Sequence, residues 1–384
     1  MLILARPSIS TYLARTLYEN HIPAVVTDDL VLPMKPAIQS VTPAQFAADP
    51  KAAYQSLLLT SSENALSFLY ETIPYDDRIL KAKLFKDKAA FRRAISRKYP
   101  SYFFKELSVS ELSSLDPGPL PFPLILKPST GISSIGVIRV GSRAEWEQSV
   151  EFIQKDLANY QKNYSASVVE GQKVLLERYI EGREFAIDGY FNSQAEPVVL
   201  NLLEHLFLND KDTSDRIYLT RKSLLEEQLP KIEKFLLEFG DIFDLKRFPF
   251  HLELRLTPSG ELIPIELNPL RFSGLGTTEI AQYAYGINVY ESFFKEKKPE
   301  WNKILNRQDD SIYSFMCADI STENFRKPNL KVLDRHLFKQ FEEVLEYRLL
   351  DEEETSTFAV VFFRSTDLEE PKRFLAMDFN QFVE

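Results

Sequence analysis

The stretch IPIELNPLRFSG, Ile263 to Gly274, decides how this chain is read. It begins as an apolar strand, yet carries Glu266 and Asn268 two residues apart and then meets Pro269. Alternate residues of a strand share a face, so Glu266 and Asn268 point one way while Ile265 and Leu267 point the other. Upstream, HLELRL (His251–Leu256) alternates as cleanly: Leu252, Leu254 and Leu256 against His251, Glu253 and Arg255. TPSGE between the two runs is a turn sequence. A two-residue loop at Ser259–Gly260 sets Glu253 opposite Glu266 and His251 opposite Asn268, all on one sheet face. A slip of one residue would move one strand's set to the other face. Two directly opposed carboxylates repel, so something neutralises them. Arg255, on the same face, is one candidate. A divalent cation is the other, because two carboxylates and an amide oxygen form a hard oxygen set suited to Mg²⁺. Mg²⁺ completes its shell with water and substrate phosphates.

Around this hairpin the chain is ordinary in composition. Its 384 residues exceed what one core organises, which predicts two or three domains. Hydrophobic residues make up 44% and charged residues 27%, values normal for a globular protein. A net charge of −10 argues against a basic surface for nucleic acid as a partner. One cysteine, Cys317, excludes an internal disulfide framework and a cysteine-based zinc site, and four histidines leave little for a His-rich one. MLILARPS is too short in its apolar run for a signal peptide, and no stretch approaches the roughly 20 apolar residues of a membrane helix. The expected location is therefore the cytoplasm, with no membrane partner. A homodimer is compatible with this composition.

The opening reads strand, helix, strand: LILA, then SISTYLARTLYENHI with Leu13 and Leu17 at helical spacing, then PAVVTDD. That pattern predicts an α/β unit with parallel strands, although it lacks G-x-G-x-x-G. A basic helical stretch follows from about Asp77 to Tyr99. The proline cluster DPGPLPFP leads into LILKP, and the runs GVIRV, KVLLERYI, EFAIDGYF and PVVLNLLE predict antiparallel strands with the helix SRAEWEQSVEFIQKDLANY inserted among them. LLEEQLPKIEKFLLEFGDIF is an amphipathic helix. After about Arg307, three strand-like runs and a closing helix predict a separate small α+β module.

Two further segments carry chemistry. Lys127 ends a strand and precedes small residues, Ser129 to Gly136, whose backbone N–H groups can approach phosphate oxygens. No G-K-[ST] is present, so this is not a Walker loop, and alone it reads as a hairpin loop. LLERYIEGREFAIDGYF holds Glu177 and Glu184 seven apart around Tyr179 and Ile180. It can offer strand-edge backbone to a purine and a carboxylate to a ribose, or it is a hairpin with two surface glutamates.

Together these segments resemble the ATP-grasp superfamily. A Lys in KDKAAFR, a Lys before a small-residue loop, E-x-x-I…E and E…E-x-N occur in the family's order across roughly residues 80–290. Their spacings are similar to those of the D-alanine–D-alanine ligases, and the carboxylate–amine type of the family includes the L-amino acid ligases. The resemblance implies an α/β plus α+β fold: a parallel-sheet pre-ATP-grasp domain (1–85), a two-subdomain ATP-grasp domain (86–307) and the C-terminal α+β module (308–384). It implies that Lys88 and Lys127 contact ATP phosphates, with Lys83 and Lys86 competing with Lys88. Ser133, Ser134 and Gly136 would lie in the loop closing over the β- and γ-phosphates. Glu177 and Ile180 would meet adenine, the latter by its backbone, and Glu184 the ribose. Glu253, Glu266 and Asn268 would hold two Mg²⁺ ions, with Mn²⁺ as a substitute.

The activity so implied is ATP-dependent activation of a carboxylate as an acyl phosphate and its attack by an amine, on an amino acid or small peptide-like substrate. Arg255 would steady the acyl phosphate and its tetrahedral adduct. Many relatives place an Arg directly after the Pro of Asn-Pro. Here NPLRFSG puts Arg271 one position later, where it would pair with a substrate carboxylate or form a structural ion pair. EHLFLNDKDTSDRIYLTRK (Glu204–Lys222) is a lid or a surface loop, with His205, Lys211, Arg216 and Arg221 as its polar candidates. Two other readings are an ATP-binding scaffold without turnover and a ligase with a non-amine acceptor.

Overall fold

The computed structural model describes all residues except 7–8, 28–29, 31–37, 130–135, 164–172, 326–330 and 351–354. The N-terminal strands β1 (Leu2–Leu4), β2 (Ala24–Val26), β3 (Ser40–Val41) and β4 (Leu59–Thr60) form a parallel sheet in the order β3-β2-β1-β4. The crossover helix Thr11–Glu19 starts at Ser10, whose hydroxyl accepts from the Leu13 N–H, and buries Leu13, Ala14 and Leu17 on the sheet. This is the α/β unit that the strand–helix–strand pattern predicts.

The basic stretch is two helices, Asp77–Lys86 and Lys88–Ile95. Asp87 ends the first and caps the second by accepting from the Ala90 N–H. The break turns Lys86, in the last turn of one helix, and Lys88, in the first turn of the next, toward the same strand.

A small antiparallel sheet follows, built from β5 (Phe104–Ser108), β6 (Leu124–Pro128), β7 (Ile138–Val140) and β8 (Lys173–Arg178) in the order β5-β8-β6-β7. The helix Trp146–Asn163 covers it, burying Trp146, Val150 and Ile153 against Leu124, Leu126 and Leu176. Gly182 then carries the chain into the large sheet. Its φ is +126°, and a Cβ there would lie 2.0 Å from the Leu256 carbonyl oxygen, so only glycine fits this turn.

The large sheet is antiparallel and contains β9 (Arg183–Phe191), β10 (Pro197–Leu206), β11 (Ile217–Thr220), β12 (Phe248–Leu256), β13 (Leu262–Pro269), β14 (Ile312–Asp319), β15 (Glu343–Leu349) and β16 (Thr357–Ser365). Their order is β13-β12-β9-β10-β11-β14-β16-β15. The C-terminal strands therefore continue the central sheet through the β11–β14 pair instead of forming a sheet of their own. They do carry their own apolar cluster, with Phe358, Val361, Phe363 and Phe374 at its centre. At the other end, one apolar cluster runs from β1 through the helix Asp77–Lys86 to β9, β10 and β12, so residue 85 is not a core boundary.

The β12–β13 hairpin departs from a two-residue turn. Leu256 faces Leu262, and Thr257–Glu261 forms the loop, with the Thr257 N–H donating to the Glu261 carbonyl. A β-bulge compensates: Leu254 faces Pro264 and Glu253 faces Glu266, leaving Ile265 as the extra residue. The longer loop and the bulge offset each other, and His251 faces Asn268 as expected. Pro264 and Pro269 are tolerated because β13 is an edge strand.

Candidate active site

A cleft of about 960 Å³, counting its open mouth, separates the small sheet from the large one. Lys127 of β6 and Glu177 of β8 line one wall; Glu184, His205, Glu253, Arg255 and Glu266 of the large sheet line the other; Lys88 closes one end.

That end is crowded with charge. Lys88 Nζ lies 2.8 Å from Glu266 Oε2, and Lys86 Nζ lies 4.0 Å from Glu266 Oε1 and 3.0 Å from Glu63 Oε1. Lys86 also donates to Asn268 Oδ1 at 3.3 Å. Glu177 is held between Lys127 Nζ and Arg92 Nε, the latter at 2.7 Å. Burial disfavours the Glu177 anion, but the two cations outweigh it and hold the carboxyl at about 2. Burial likewise opposes ionisation of Glu266, and Lys88 with Lys86 pulls it well below the usual carboxylate range. Both carboxylates are anions at neutral pH. Burial pushes the Lys86 and Lys127 ammonium groups the other way, below their ordinary values, against the pull of their glutamates. Counting Arg271, five cations surround Glu63, Glu177 and Glu266, an excess that suits a polyanion.

Glu253 is neutralised differently. His251 Nε2 lies 3.4 Å from Glu253 Oε1, and its Nδ1 lies 2.8 Å from Asp188 Oδ1, a fully buried carboxylate. Burial opposes the charged ring, yet Asp188 and Glu253 raise its pKa to about 9, so it is an imidazolium at neutral pH. Arg255, expected over the Glu253–Glu266 pair, turns elsewhere. It donates to Glu184 Oε2 at 2.8 Å and to the Ile180 carbonyl at 2.6 Å, with its guanidinium against the Tyr179 and Phe207 rings. The aromatic walls draw it along the sheet, and His251 and Lys88 take its place as neutralising partners. Glu184 also meets His205 Nδ1 at 2.9 Å, while His205 Nε2 approaches the Ser214 carbonyl at 3.0 Å.

Residues 120–279 match the family model of the ATP-grasp domain. Over that span the chain has the ATP-grasp fold. Its whole fold is similar to those of the L-amino acid ligase of Bacillus licheniformis (16% identity, 100% of this chain and 97% of that one, TM-score 0.62) and the N5-carboxyaminoimidazole ribonucleotide synthetase of Thermotoga maritima (15%, 100% and 98%, 0.61). It is also similar to a biotin carboxylase–β-γ-ATP complex from Campylobacter jejuni (11%, 95% and 87%, 0.61). No curated protein matches the chain by sequence.

The cleft brings together Lys88, Lys127, Glu177, Ile180, Glu184, Glu253, Arg255 and Glu266. Asn268 is buried and joins them through Lys86. Lys83 is exposed and lies over the Tyr70 ring, away from this group. Gly136 is buried with a φ of 69°, while Ser133 and Ser134 lie outside the described residues. Arg271 forms an ion pair with Glu63 at 2.9 Å and donates to the Phe272 carbonyl. Of the 204–222 segment, Phe207, Asp210 and Asp212 reach the cleft, but Arg216 donates to the Leu375 and Met377 carbonyls on the C-terminal side.

Two functional residues were not foreseen. Arg92 is 1% exposed and, besides Glu177, donates to the Pro264 and Ile265 carbonyls at the bulge. Its signal was the four-residue step from Lys88, which puts both on one helix face. Asp188 was signalled by its alternation with Glu184 in an otherwise apolar strand.

Proposed function

We propose that the protein is an ATP- and Mg²⁺-dependent ligase that activates a carboxylate as an acyl phosphate and joins it to an amine, with an amino acid or small peptide-like acid as substrate. The observation that carries this reading is the meeting of Glu266, opposed in register to Glu253, with Lys88 at 2.8 Å, in a cleft whose facing wall bears Lys127. The donor set fits Mg²⁺. Among the described residues, no three of His, Cys, Asp and Glu gather into a closed metal cage. Glu253, Glu266 and Asn268 form an open oxygen set, of the kind Mg²⁺ completes with phosphate and water. These three side chains would hold the ion, which when bound supplies neutralisation of phosphate oxygens.

The chain's own groups do the rest. Lys88, Lys86 and Lys127 present ammonium groups toward a polyphosphate, and Glu177 with Arg92 holds Lys127 in place. Tyr179, Ile180 and Phe207 provide the flat and apolar surfaces that a nucleobase needs, and Glu184 is positioned by His205 and Arg255 to accept from hydroxyls. Phosphoryl transfer asks mainly for such positioning and charge balance. The test is ADP and phosphate release with paired acids and amines. Glu266→Ala or Asn268→Ala is expected to lower the rate by about 10²–10³-fold, the usual effect of removing a charge-stabilising group. No stimulated ADP release from any pair would overturn the proposal.

A further inference from the structure

Residues 207–216 join β10 to β11 as a strap at the cleft, and the strap is held from two sides. Asp212 makes it one piece: the carboxylate accepts from the Leu208 N–H at 2.8 Å and from the Ser214 N–H and hydroxyl at 2.9 and 2.7 Å. On the cleft side, the Ser214 carbonyl meets His205 Nε2 at 3.0 Å, and Asp215 accepts from Tyr218 Oη at 3.0 Å. His205 stacks on the Tyr218 ring with 4.1 Å between centroids, and its Nδ1 reaches Glu184 at 2.9 Å. Both ring nitrogens thus face acceptors, a carbonyl and a carboxylate, and only the imidazolium donates to both. Burial opposes that charge, but Glu184 of β9, Asp215 of the strap and Glu253 of β12 together raise the His205 pKa above its ordinary value. Arg255 of β12 takes the other Glu184 oxygen at 2.8 Å.

On the far side the strap ends at Arg216. Its Nη1 donates to the Leu375 and Met377 carbonyls, both at 2.9 Å, where the closing helix Glu369–Leu375 finishes, and its guanidinium lies over the buried Phe379 ring. Its backbone carbonyl accepts from the Cys317 N–H of β14. Ser214 and Asp215 directly precede this anchor, so the anchor fixes where their acceptors point. We propose that Arg216 is a positioning residue: by tying the strap to the closing helix it holds the Ser214 carbonyl and Asp215 against His205 and Tyr218, and so keeps Glu184 aimed at the hydroxyls of a bound nucleotide. The C-terminal strands and helix thereby contribute to nucleotide affinity from outside the cleft. The nucleotide in this statement rests on the ligase reading; the hold on His205 does not. What the site asks of residue 216 is narrow. One donor atom makes both bonds, and Nε is buried with no partner among the described residues. A lysine can supply that one donor.

The test follows the histidines of the full chain by NMR through a pH titration, without nucleotide or metal, His205 being identified by its absence from His205→Asn. His251 is the internal standard, because Asp188 and Glu253 hold it at about 9 against the opposing effect of burial. In Arg216→Gln the His205 midpoint should fall toward the ordinary 6.5 as the strap's acceptors move off, while His251 stays where it is. Losing a nearby cation would by itself raise the midpoint, so a fall reports the strap and not the charge. Arg216→Lys should restore the wild-type value. In calorimetry with Mg²⁺, Arg216→Gln should weaken ADP by about tenfold, the effect of one hydrogen bond to a charged group. Binding of 2′,3′-dideoxyADP, which offers Glu184 no hydroxyl, should be unchanged. A His205 midpoint that stays or rises in Arg216→Gln, a His251 midpoint that falls with it, or equal weakening of the two nucleotides would overturn the proposal. A falling His205 midpoint in a protein that binds neither nucleotide would instead overturn the nucleotide reading and keep Arg216 as the residue that holds His205 and Glu184.

Discussion

Arg92 holds more of the cleft together than any residue the motif comparison named. It ties Glu177 of the small sheet to the β13 carbonyls of the large one, so one side chain bridges both walls. Its planar fork meets all three acceptors, which an ammonium could not do from one position. Arg92→Leu leaves Glu177 with Lys127 as its paired cation and strands two carbonyls. Chemical denaturation should show a loss of about 3–5 kcal/mol, with Arg92→Lys recovering only part of it. Glu177 itself predicts an acid response. Its folded pKa, about 2, lies below the model-peptide value of 4.5, so the stability it contributes is complete above about pH 4.5 and disappears as pH falls toward 2. Acid unfolding followed by circular dichroism should therefore be shallower in Glu177→Gln across that window, from a lower starting stability. At this scale the sequence was informative about types but not about partners. Glu253 and Glu266 stood out as needing a cation, yet the cations are His251 and Lys88, because Arg255 found aromatic faces that no local pattern announces.

At the level of elements, the β12–β13 hairpin was legible through alternation alone. The period of two pins which residues share a face, whereas the register rested on a two-residue turn that the chain does not make and is restored by the longer loop and the bulge together. The bulge at Ile265 was not legible, since it is set by the loop's actual length and by Arg92 waiting on the far side. The same holds for Lys86 and Lys88, whose common target depends on Asp87 ending one helix and capping the next. The turn into β9 gives a sharper test. Gly182→Ala forces a side chain into positive φ and against the Leu256 carbonyl. A cost of at least about 2 kcal/mol is expected, read as a lowered denaturation midpoint, because neither the strain nor the clash can relax separately.

For the molecule as a whole, local patterns found most strands and the long helices, missed β3, β5, β11 and several short helices, and did not say which sheet each strand joins. Sheet membership is a long-range property: β11 pairs with β14 across the helix Lys222–Phe243, the β12–β13 hairpin and the short helices that follow it. A module able to stand alone would leave a soluble remainder when removed. Cutting the chain after residue 307 should instead open the β11 edge and uncover Tyr218 and Leu203, which pack in one apolar cluster with Phe315 and Phe362. Loss of the soluble monomer peak in size-exclusion chromatography is the expected result. The continuous core from β1 to β12 likewise makes the N-terminal sheet a wall of the same body, consistent with pockets formed at its junctions. All of this serves one claim, that the cleft makes and spends an acyl phosphate. The direct measurement is oxygen-18 transfer: the full chain is given ATP, Mg²⁺, an amine mixture and amino acids labelled with oxygen-18 in the carboxylate. The account predicts that each phosphate released carries one label, taken from the carboxylate. Unlabelled phosphate would contradict it, because ATP would then be losing its terminal group to water.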